Sequence, residues 1–348
     1  MSSVRPNIQA LAGYVPGEQP QAGKFIKLNT NENPYPCSPA VTRAIRAALD
    51  QGLSRYPDPT ATAFRRAAAG VLQVDPDWIL CGNGSDDILT IVTRAFVGQG
   101  ELLRLPYPSY LLYKTLAEIQ GASSEEIHFR TDWSLGADFT AARSNLRLAF
   151  LPNPNSPSGT MLAAEAVAHL AERLPCPLLV DEAYVDFADQ HCLQLVQRNE
   201  RIMVSRSLSK SYSLAGLRFG FLVAQPQLIR ELTKVKDSYN CDALAIAGAT
   251  AAIHDQTWRM NNRAQIIATR HRLQAGLAEL GFSVQPSQAN FVWCTHPRQS
   301  SQSLYERLKD QQVLVRYMNY ADWGDGLRIT VGTEDQIDVC LSLLGNMV

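Results

Sequence analysis

Lys210 lies in a segment whose side chains could bind an anion and lower the basicity of an amine. Residues 205–220 read Ser-Arg-Ser-Leu-Ser-Lys-Ser-Tyr-Ser-Leu-Ala-Gly-Leu-Arg-Phe-Gly, which places Ser207, Ser209 and Arg218 near the lysine. Hydroxyl donors and a guanidinium suit a dianionic phosphate. A lysine among other cations deprotonates readily, as an amine that forms a Schiff base must do. The alternative, a solvated loop, is less consistent with the two glycines that bracket Arg218.

An acid and a phenol follow another apolar run. Residues 180–184 read Val-Asp-Glu-Ala-Tyr, so Asp181 comes directly after a predicted strand and Tyr184 stands three residues later. A buried carboxylate is costly unless a cation or hydrogen-bond donors compensate it. We therefore expect a partner for Asp181, although a helix N-cap is an alternative role for such an acid.

A glycine turn precedes the apolar run 88–96. Residues 81–87 read Cys-Gly-Asn-Gly-Ser-Asp-Asp, the pattern of a strand, a turn and a helix start. The free backbone N–H groups of such a start suit a phosphate. The alternative is an ordinary turn in which Ser85 or Asp86 caps the helix.

A second constrained loop covers residues 153–159, Asn-Pro-Asn-Ser-Pro-Ser-Gly. Its two prolines and final glycine follow a predicted strand and could hold Asn155 and Ser156 at a site. The same residues could equally form a rigid loop that satisfies its own amides.

Together these segments supply the groups that pyridoxal 5′-phosphate (PLP) chemistry needs. They are an amine for the aldehyde, a phosphate cup, a carboxylate for the pyridine nitrogen and donors for the ring oxygen. All of them occur in this one chain. Their joint occurrence is more specific than any one segment, and it predicts a PLP enzyme with Lys210 as the attachment point.

An alternating pattern of strands and helices would position these segments. Short apolar runs predict buried strands at residues 79–81, 102–105, 146–151, 178–180, 202–205 and 219–223. Helical stretches lie between them, which favours an α/β fold with a largely parallel sheet covered by helices. Ligands of such sheets bind beyond the carboxyl ends of the strands, where the polar segments stand.

The length of 348 residues favours two domains. We predict an N-terminal arm over residues 1–36 that joins the small domain, a large PLP-binding domain over 37–245, and a small C-terminal α+β domain over 246–348. The arm is expected to be irregular. The elements predicted for the small domain are helices near 258–280, 303–311 and from 334, and strands at 290–294, 313–316 and 327–331.

Composition excludes several classes of function. With 32 basic and 33 acidic residues the net charge is −1, which offers no broad footprint for nucleic acid or an anionic membrane. No apolar run approaches the ~20 residues of a membrane-spanning helix. Seven scattered cysteines without CxxC spacing indicate neither a disulfide framework nor a metal site. The N-terminal residues lack a signal-peptide pattern, so a cytoplasmic enzyme with a small charged substrate is expected.

At this level of detail the sequence resembles the fold-type I PLP-dependent aminotransferases, and within them the histidinol-phosphate aminotransferases. The residues that carry the resemblance occur in the family's order at 28–34 (Leu-Asn-Thr-Asn-Glu-Asn-Pro), 55–58 (Arg-Tyr-Pro-Asp), 82–87, 181–184, 208–210 and 327–332 (Leu-Arg-Ile-Thr-Val-Gly). They span nearly the whole chain. The resemblance implies a large domain with a mostly parallel central sheet and a smaller α+β domain.

The resemblance also implies roles at the cofactor. Lys210 would be the Schiff-base lysine and would shuttle a proton between the substrate Cα and the cofactor C4′. Asp181 would pair with the pyridinium nitrogen, Tyr184 would donate to the ring O3′, and Tyr110 would stack on the ring. The expected phosphate contacts are Gly84, Ser85, Asp86, Ser207, Ser209 and Arg218.

Other positions are implied to serve the substrate and a second subunit. Tyr56 would reach the phosphate in a neighbouring subunit, which implies a homodimer with shared sites. Arg328 would bind the carboxylate of glutamate. Arg316, Tyr14 and Asn31 match positions near the substrate, although Arg316 could also be an ordinary surface arginine.

One departure from the family pattern concerns the loop at 153–159. The family often has asparagine immediately before the second proline to bind O3′, whereas this chain has Ser156 there and Asn155 one residue earlier. Either residue could contact O3′.

The resemblance implies reversible transamination of L-histidinol phosphate with 2-oxoglutarate, giving imidazole-acetol phosphate and glutamate in histidine biosynthesis. An aminotransferase for aromatic or other amino acids is an alternative, because fold does not name a substrate. A threonine-phosphate decarboxylase is another, since it shares the lysine and aspartate motifs. A binding module without activity is disfavoured, because both residues are retained.

Overall fold

The computed structural model describes residues 3–13, 15–20 and 23–348. The strands in these ranges are, in chain order, β1 (Ile26–Lys27), β2 (Ile79–Gly82), β3 (Leu102–Tyr107), β4 (Ser123–His128), β5 (Leu146–Pro152), β6 (Leu178–Asp181), β7 (Ile202–Ser207), β8 (Gly220–Val223), β9 (Ser283–Val284), β10 (Phe291–Thr295), β11 (Val313–Leu314), β12 (Arg316–Tyr320) and β13 (Gly324–Thr330).

The helices are α1 (Pro6–Ala10), α2 (Pro39–Asp50), α3 (Thr62–Leu72), α4 (Ser85–Phe96), α5 (Leu112–Ile119), α6 (Ala164–Arg173), α7 (Leu195–Arg198), α8 (Pro226–Val235), α9 (Ala243–His254), α10 (Gln256–Glu279), α11 (Ser301–Asp310) and α12 (Glu334–Gly345). Short 3₁₀ turns occur at Pro76–Trp78, Ala137–Thr140, Val185–Phe187 and Ala215–Leu217.

A seven-stranded sheet, here called the large sheet, has the order β2-β8-β7-β6-β5-β3-β4. The pairs from β4 to β7 are parallel, and β8 runs antiparallel to both of its neighbours. The predicted mostly parallel sheet is therefore confirmed. The register pairs Pro152 with Asp181, Ser207 with Gly220 and Gly82 with Gly220. The polar segments therefore lie together at one end of the strands, beyond the carboxyl ends of β5, β6 and β7.

Apolar side chains cover both faces of the large sheet. Successive residues of β6 and β7 point to opposite sides, so Val180 and Val204 belong to one core while Leu179 and Met203 belong to the other. Because both faces of these strands are buried, their sequences are continuous apolar runs rather than alternating ones. Rigid, doubly covered strands hold the loops at their carboxyl ends in fixed positions.

A four-stranded antiparallel sheet, here called the small sheet, has the order β12-β13-β10-β9. Its core includes Ile266 of α10, Leu308 of α11 and Ile337 of α12. The N-terminal segment adds to it, because β1 pairs in parallel with β11 and Leu28 is buried in the same core. The segment predicted as irregular thus contains a short helix, α1, and a strand, β1.

The domain limits remain a prediction. Helix α9 contributes Ala245, Ile246 and Ala249 to the core that lies on the large sheet, together with Val41 of α2 and Phe64 of α3. The predicted division between residues 245 and 246 falls inside this helix.

Three element predictions differ from the structure. Strand β4 was not expected, because its sequence Ser-Ser-Glu-Glu-Ile-His has a single apolar residue. It is an edge strand, which pairs with β3 alone and needs no apolar pattern on both faces. The run 313–316 forms two strands, β11 and β12, in different sheets, and the strand expected from residue 219 begins at Gly220.

Among the described residues, no helix is both long and apolar enough to cross a membrane.

Candidate active site

A cavity of about 610 Å³ lies between the two sheets. Its walls include Pro152, Asp181 and Ser207, the last residues of β5, β6 and β7, and on the other side Met318 of β12 and Arg328 of β13. The predicted site residues that line it are Asn31, Ser85, Asp86, Tyr110, Ser156, Asp181, Tyr184, Ser207, Ser209, Lys210, Arg218, Arg316 and Arg328. The fold therefore brings most of the predicted site together.

Lys210 presents its amine to this cavity. Its Nζ donates a 3.3 Å hydrogen bond to the Thr30 carbonyl and lies 5.6 Å from the ring centre of Tyr184. Burial lowers the pKa of the Lys210 amine to about 8, and the positive charge of Arg328 acts in the same direction. A larger fraction of this amine is neutral near neutral pH than for an exposed lysine, as a nucleophile requires.

Asp181 is a buried carboxylate without a cation. Its Oδ2 accepts a 2.8 Å hydrogen bond from the Tyr113 hydroxyl, and its Oδ1 accepts from Ser205 Oγ at 3.1 Å and the Ala183 amide at 3.2 Å. It forms no ion pair with any described residue. Burial raises its pKa to about 6, and the bonds from Tyr113 and Ser205 reduce that rise. The next helical turn, Val185–Phe187, has Tyr184 at its N-cap position, so Asp181 is not a helix N-cap.

Tyr184 lies beside the lysine. Its hydroxyl accepts a 2.9 Å hydrogen bond from Nδ2 of Asn31, and its ring meets Phe291 edge-on with centres 5.0 Å apart. Burial raises the pKa of the Tyr184 phenol, while the Arg328 charge and the Asn31 bond lower it. The phenol is thus neutral and retains its proton.

Helix α4 points its amino end at the cavity. Gly84 is the residue before the helix, with φ of +85°, and no side chain caps the first turn. The alternative in which Ser85 or Asp86 caps the helix is therefore wrong. The first backbone N–H groups of a helix need acceptors, and an anion supplies them.

Arg218 lies over this helix start. Its guanidinium donates to Ser209 Oγ and Asp86 Oδ2, both at 3.3 Å. The packing leaves no room for larger residues. A Cβ on Gly84 would lie 2.5 Å from the Arg218 guanidinium, and one on Gly220 would lie 2.5 Å from the Ser85 nitrogen.

Ser156 and Asn155 have different surroundings. Ser156 lines the cavity, and its Oγ accepts a 2.9 Å hydrogen bond from Arg328. Asn155 lies behind the cavity wall, where its Nδ2 donates to the Pro108 carbonyl at 3.2 Å and to Ser158 Oγ at 2.9 Å. Its Oδ1 is buried and accepts no hydrogen bond from the residues that the structure describes.

Two arginines of the small sheet face the cavity. Arg328 also donates to the Asn29 carbonyl at 2.9 Å and lies 5.3 Å from the ring centre of Phe291. Arg316 donates to the carbonyls of Val15 and Pro16, both at 3.5 Å. Arg316 is therefore part of the cavity wall and ties the N-terminal segment to it.

The predicted tyrosines fall into three groups. Tyr110 lines the cavity, and its hydroxyl donates to Asp86 at 3.3 Å. Tyr56 is 80% exposed, stacks on Tyr239 with ring centres 4.5 Å apart, and does not line the cavity of its own chain. Tyr14 lies outside the described residues.

Sequence reasoning missed two partners of Asp181. Tyr113 stands in α5, a helix whose start was not predicted. Ser205 lies in β7 directly opposite Asp181 in the parallel register. Aligning the ends of the two predicted strands, 178–180 and 202–205, would have placed Ser205 near Asp181.

The donor set fits PLP. Asp181 lacks a cation, which a protonated ring nitrogen would supply, and the uncapped start of α4 with Arg218 matches a phosphate. The amine of Lys210 lies in the same cavity. The described residues contain no group of His, Cys, Asp and Glu arranged for a metal ion, and the seven cysteines are free.

Comparisons with known proteins show the family of this chain. The family model "Aminotransferase class I and II" matches residues 23–344. A histidinol-phosphate aminotransferase of Rhodopirellula baltica is 58% identical over 98% of this chain and 94% of its own length. Histidinol-phosphate aminotransferase 1 of a Nostoc species is 46% identical over 99% of this chain and 98% of its own.

A solved structure shares the fold. The crystal structure of histidinol-phosphate aminotransferase from Sinorhizobium meliloti in complex with pyridoxal-5′-phosphate superposes with a TM-score of 0.91 at 24% identity, covering 100% of this chain and 99% of that one. This likeness confirms the predicted α/β fold class.

Proposed function

Because the chain belongs to the class I and II aminotransferase family, we propose that it transfers the amino group of L-histidinol phosphate to 2-oxoglutarate. The products are imidazole-acetol phosphate and glutamate, and the reaction serves histidine biosynthesis. The near-full-length identity with relatives named for this reaction is the observation that carries the substrate. The chain is a PLP-dependent aminotransferase.

PLP, when bound, supplies an aldehyde that links to an amine and a protonated ring that draws electron density from the amino-bearing carbon of the substrate. We assign Lys210 as the residue that holds it. The lowered pKa of its amine keeps part of the population neutral at pH 7 to 8. After the substrate amine has displaced it, Nζ of Lys210 would carry the proton from the amino-bearing carbon of the substrate to the former aldehyde carbon of PLP, which lies two bonds away across the shared nitrogen.

Asp181 is proposed to hold the ring nitrogen in its protonated form. Three neutral donors orient its carboxylate, and no described cation competes for it. An ion pair in a buried site is strong only when its hydrogen bonds are complete, which Tyr113, Ser205 and Ala183 provide. The fixed negative charge therefore stabilises charge that develops in the transition state.

The phosphate is proposed to lie at the start of α4. Ser85 and Asp86 would offer backbone amides, while Gly84, whose own N–H donates to the Gly82 carbonyl at 2.9 Å, would shape the turn beside the phosphate. Arg218, Ser207 and Ser209 would add side-chain donors. The Arg218 guanidinium already lies 3.3 Å from Ser209 Oγ and Asp86 Oδ2, so it is held in place before the anion arrives. Tyr110 would cover the ring face.

Ser156 is the better donor to the ring O3′. Arginine can only donate, so Ser156 Oγ accepts from Arg328 and keeps its own proton for another acceptor. Both amide protons of Asn155 have protein acceptors, and its remaining atom, Oδ1, cannot donate. We therefore assign the O3′ contact to Ser156, beside Tyr184.

The substrate is proposed to lie against the small sheet. Arg328 would bind the carboxylate of glutamate, and its buried Nε without a partner is consistent with a ligand there. Arg316 and Asn31 also line the cavity and would face the phosphorylated donor. Tyr14, which lies outside the described residues, is proposed as a further substrate contact because it matches a family position near the substrate.

A homodimer with shared sites is proposed on the basis of Tyr56. This residue is 80% exposed and lies outside its own cavity, as a residue that completes a neighbour's site would. Leu49, Leu53 and Tyr239 are also exposed, and exposed apolar side chains often mark interfaces.

We propose that the enzyme acts in the cytoplasm, where histidine would be made.

Spectral titration tests the substrate. Purified protein loaded with PLP is mixed with histidinol phosphate, threonine phosphate or an aromatic amino acid, and then with 2-oxoglutarate. We expect histidinol phosphate to change the cofactor absorbance and 2-oxoglutarate to reverse the change. Release of carbon dioxide from threonine phosphate without an oxo acid, or a response to aromatic amino acids alone, would contradict the proposed substrate.

A further inference from the structure

Hydrogen bonds fix both the backbone and the side chain of Asn31. It is 1% exposed and has a φ of +55°, a left-handed conformation that asparagine tolerates better than most residues. Its backbone N–H donates to Thr330 Oγ1 at 3.0 Å, and its carbonyl accepts from Asn290 Nδ2 at 3.0 Å. The small sheet and its preceding loop therefore fix the backbone of this residue.

The Thr330 hydroxyl sets the orientation of the Asn31 amide. Its oxygen accepts from the Asn31 backbone N–H, and its proton goes to Oδ1 of Asn31 at 3.1 Å. Oδ1 is thus the acceptor, and Nδ2 is the atom that faces the Tyr184 hydroxyl at 2.9 Å.

An amide nitrogen only donates, so the Tyr184 oxygen accepts from Asn31 and its own proton is directed elsewhere. Tyr184 lines the cavity next to Lys210, and Asn31, which also lines it, donates from Nδ2 to the Tyr184 oxygen and leaves the phenol proton for another acceptor. We propose that Asn31 is a positioning residue, oriented by Thr330, that makes Tyr184 a hydrogen-bond donor towards the cavity. This inference rests on the proposed function and deepens it.

The direction of this proton matters for chemistry in the cavity. A phenol that donates stabilises an anionic oxygen such as the ring O3′, whereas a phenol that accepts would repel it. The charged groups that act on Tyr184 are Arg328, Asp181, Asp86 and Lys210. None of them is an acceptor that competes for the Tyr184 proton within the described contacts.

The first test reverses the polarity at position 31. In Asn31→Asp the carboxylate keeps the shape and the bond from Thr330, but it accepts from Tyr184 and so turns the phenol proton away from the cavity. The readout is the pH at which the absorbance of the lysine-bound cofactor titrates. We expect this pKa to rise, because the anionic O3′ loses a donor, and kcat/KM to fall about tenfold or more.

The added negative charge raises the same pKa by itself, so the substitution is repeated in a Tyr184→Phe background. There the charge remains but no phenol proton can turn. A larger shift with the tyrosine present than with phenylalanine supports the orientation; equal shifts in the two backgrounds would overturn it.

A second pair of variants leaves both cavity residues unchanged. Thr330→Val removes the hydroxyl that fixes the amide, and Thr330→Ser keeps it. We expect the cofactor titration to move upward in Thr330→Val and to stay near the wild-type value in Thr330→Ser. Identical titrations of these two variants would contradict the role of Thr330, even if Asn31→Asp did not fold.

Failure of the proposed function gives a different result. Wild-type protein that shows no absorbance from lysine-bound PLP would remove the basis of the whole proposal. If the wild-type protein binds PLP and turns over substrate but the variants titrate as it does, the positioning role of Asn31 is wrong and the proposed function stands.

Discussion

The Tyr113 hydroxyl donates a 2.8 Å hydrogen bond to Oδ2 of Asp181, and both side chains are buried. The bond favours the charged carboxylate, because it opposes the rise in pKa that burial causes. Tyr113 is itself packed edge-on against Tyr110 and Phe150. Tyr113, which also lines the cavity, therefore helps to keep the charge on the residue that is proposed to pair with the cofactor ring.

Tyr113→Phe should weaken PLP binding in a pH-dependent way. Loss of the bond raises the pKa of Asp181 above about 6. In an acid titration the variant carboxylate therefore becomes protonated at a higher pH than the wild-type carboxylate. We expect an affinity loss of about tenfold near pH 6.5 and a smaller loss at pH 9. Fluorescence titration with PLP at both pH values measures this ratio.

Tyr107→Phe is the matched control, since Tyr107 donates to the Ala321 carbonyl and does not line the cavity. Its affinity should follow the wild type at both pH values. A Tyr113→Phe loss that is the same at pH 6.5 and 9 would argue for a packing effect.

Asp181→Asn should stabilise the cofactor-free protein while abolishing turnover. The folded-state pKa of about 6 lies above the ordinary 3.8, so folding favours the protonated form and the charged form is disfavoured above pH 6. The difference corresponds to a gain on the order of 3 kcal/mol for the neutral amide at pH 8. The gain should vanish below about pH 4, where the wild-type acid is neutral in both states.

Thermal unfolding without PLP at pH 4 and pH 8 tests this expectation. Glu200→Gln is the control, because Glu200 is exposed. An Asp181→Asn protein that melts at or below the wild-type temperature at pH 8 would contradict the view that this carboxylate is strained by burial.

Lys210→Ala should reduce turnover to background and remove the absorbance of lysine-bound cofactor. The methyl group cannot link to the aldehyde or carry a proton. Lys234→Ala is the control, since Lys234 pairs only with Glu231 on an exposed surface. An active Lys210→Ala enzyme with an unchanged spectrum would overturn the central assignment.

Gly220→Ala should damage the phosphate site. The new Cβ would lie 2.5 Å from the Ser85 nitrogen and 2.6 Å from the Gly84 carbonyl carbon, both of which are backbone. We expect a loss of about 1 to 3 kcal/mol in stability and weaker PLP binding, because the start of α4 must shift. Gly216→Ala, whose Cβ would meet nothing within 4 Å, should be tolerated. Equal effects of the two substitutions in unfolding and PLP titration would exclude this steric cause.

Mixed dimers test the proposed site sharing. Tyr56→Phe and Lys210→Ala subunits are each expected to be impaired, but a heterodimer contains one site with both natural residues. Random mixing makes about half of the dimers heterodimers, so about a quarter of wild-type activity should return if Tyr56→Phe alone is inactive. No recovery in a steady-state assay of separated heterodimers would weaken the shared site.

Much of this molecule could be predicted from its sequence, because the strands of the large sheet are buried on both faces and appear as apolar runs. The loops at their carboxyl ends then locate Lys210 and Asp181 without any contact being known. Strand β4 could not be found this way, since an edge strand with one apolar residue has no such pattern.

The contacts that tune the site were also hidden. Tyr113 reaches Asp181 across 68 positions of sequence, and Thr330 reaches Asn31 across 299. Such pairs depend on how two sheets pack, which residue types alone do not specify. The orientation of the Asn31 amide depends further on the direction of the Thr330 hydroxyl proton, which residue types do not specify.

Because Gly220 lies so close to the start of α4, the two walls of the cavity should tolerate substitutions differently. Backbone meets backbone at the phosphate end, so any added atom there must displace the main chain. Side chains of the small sheet, such as Met318, form the opposite wall, where a substitution changes the side chain that the cavity meets. An engineer who wants a new amino donor should therefore build the library on β12 and the N-terminal segment, and leave the glycines untouched.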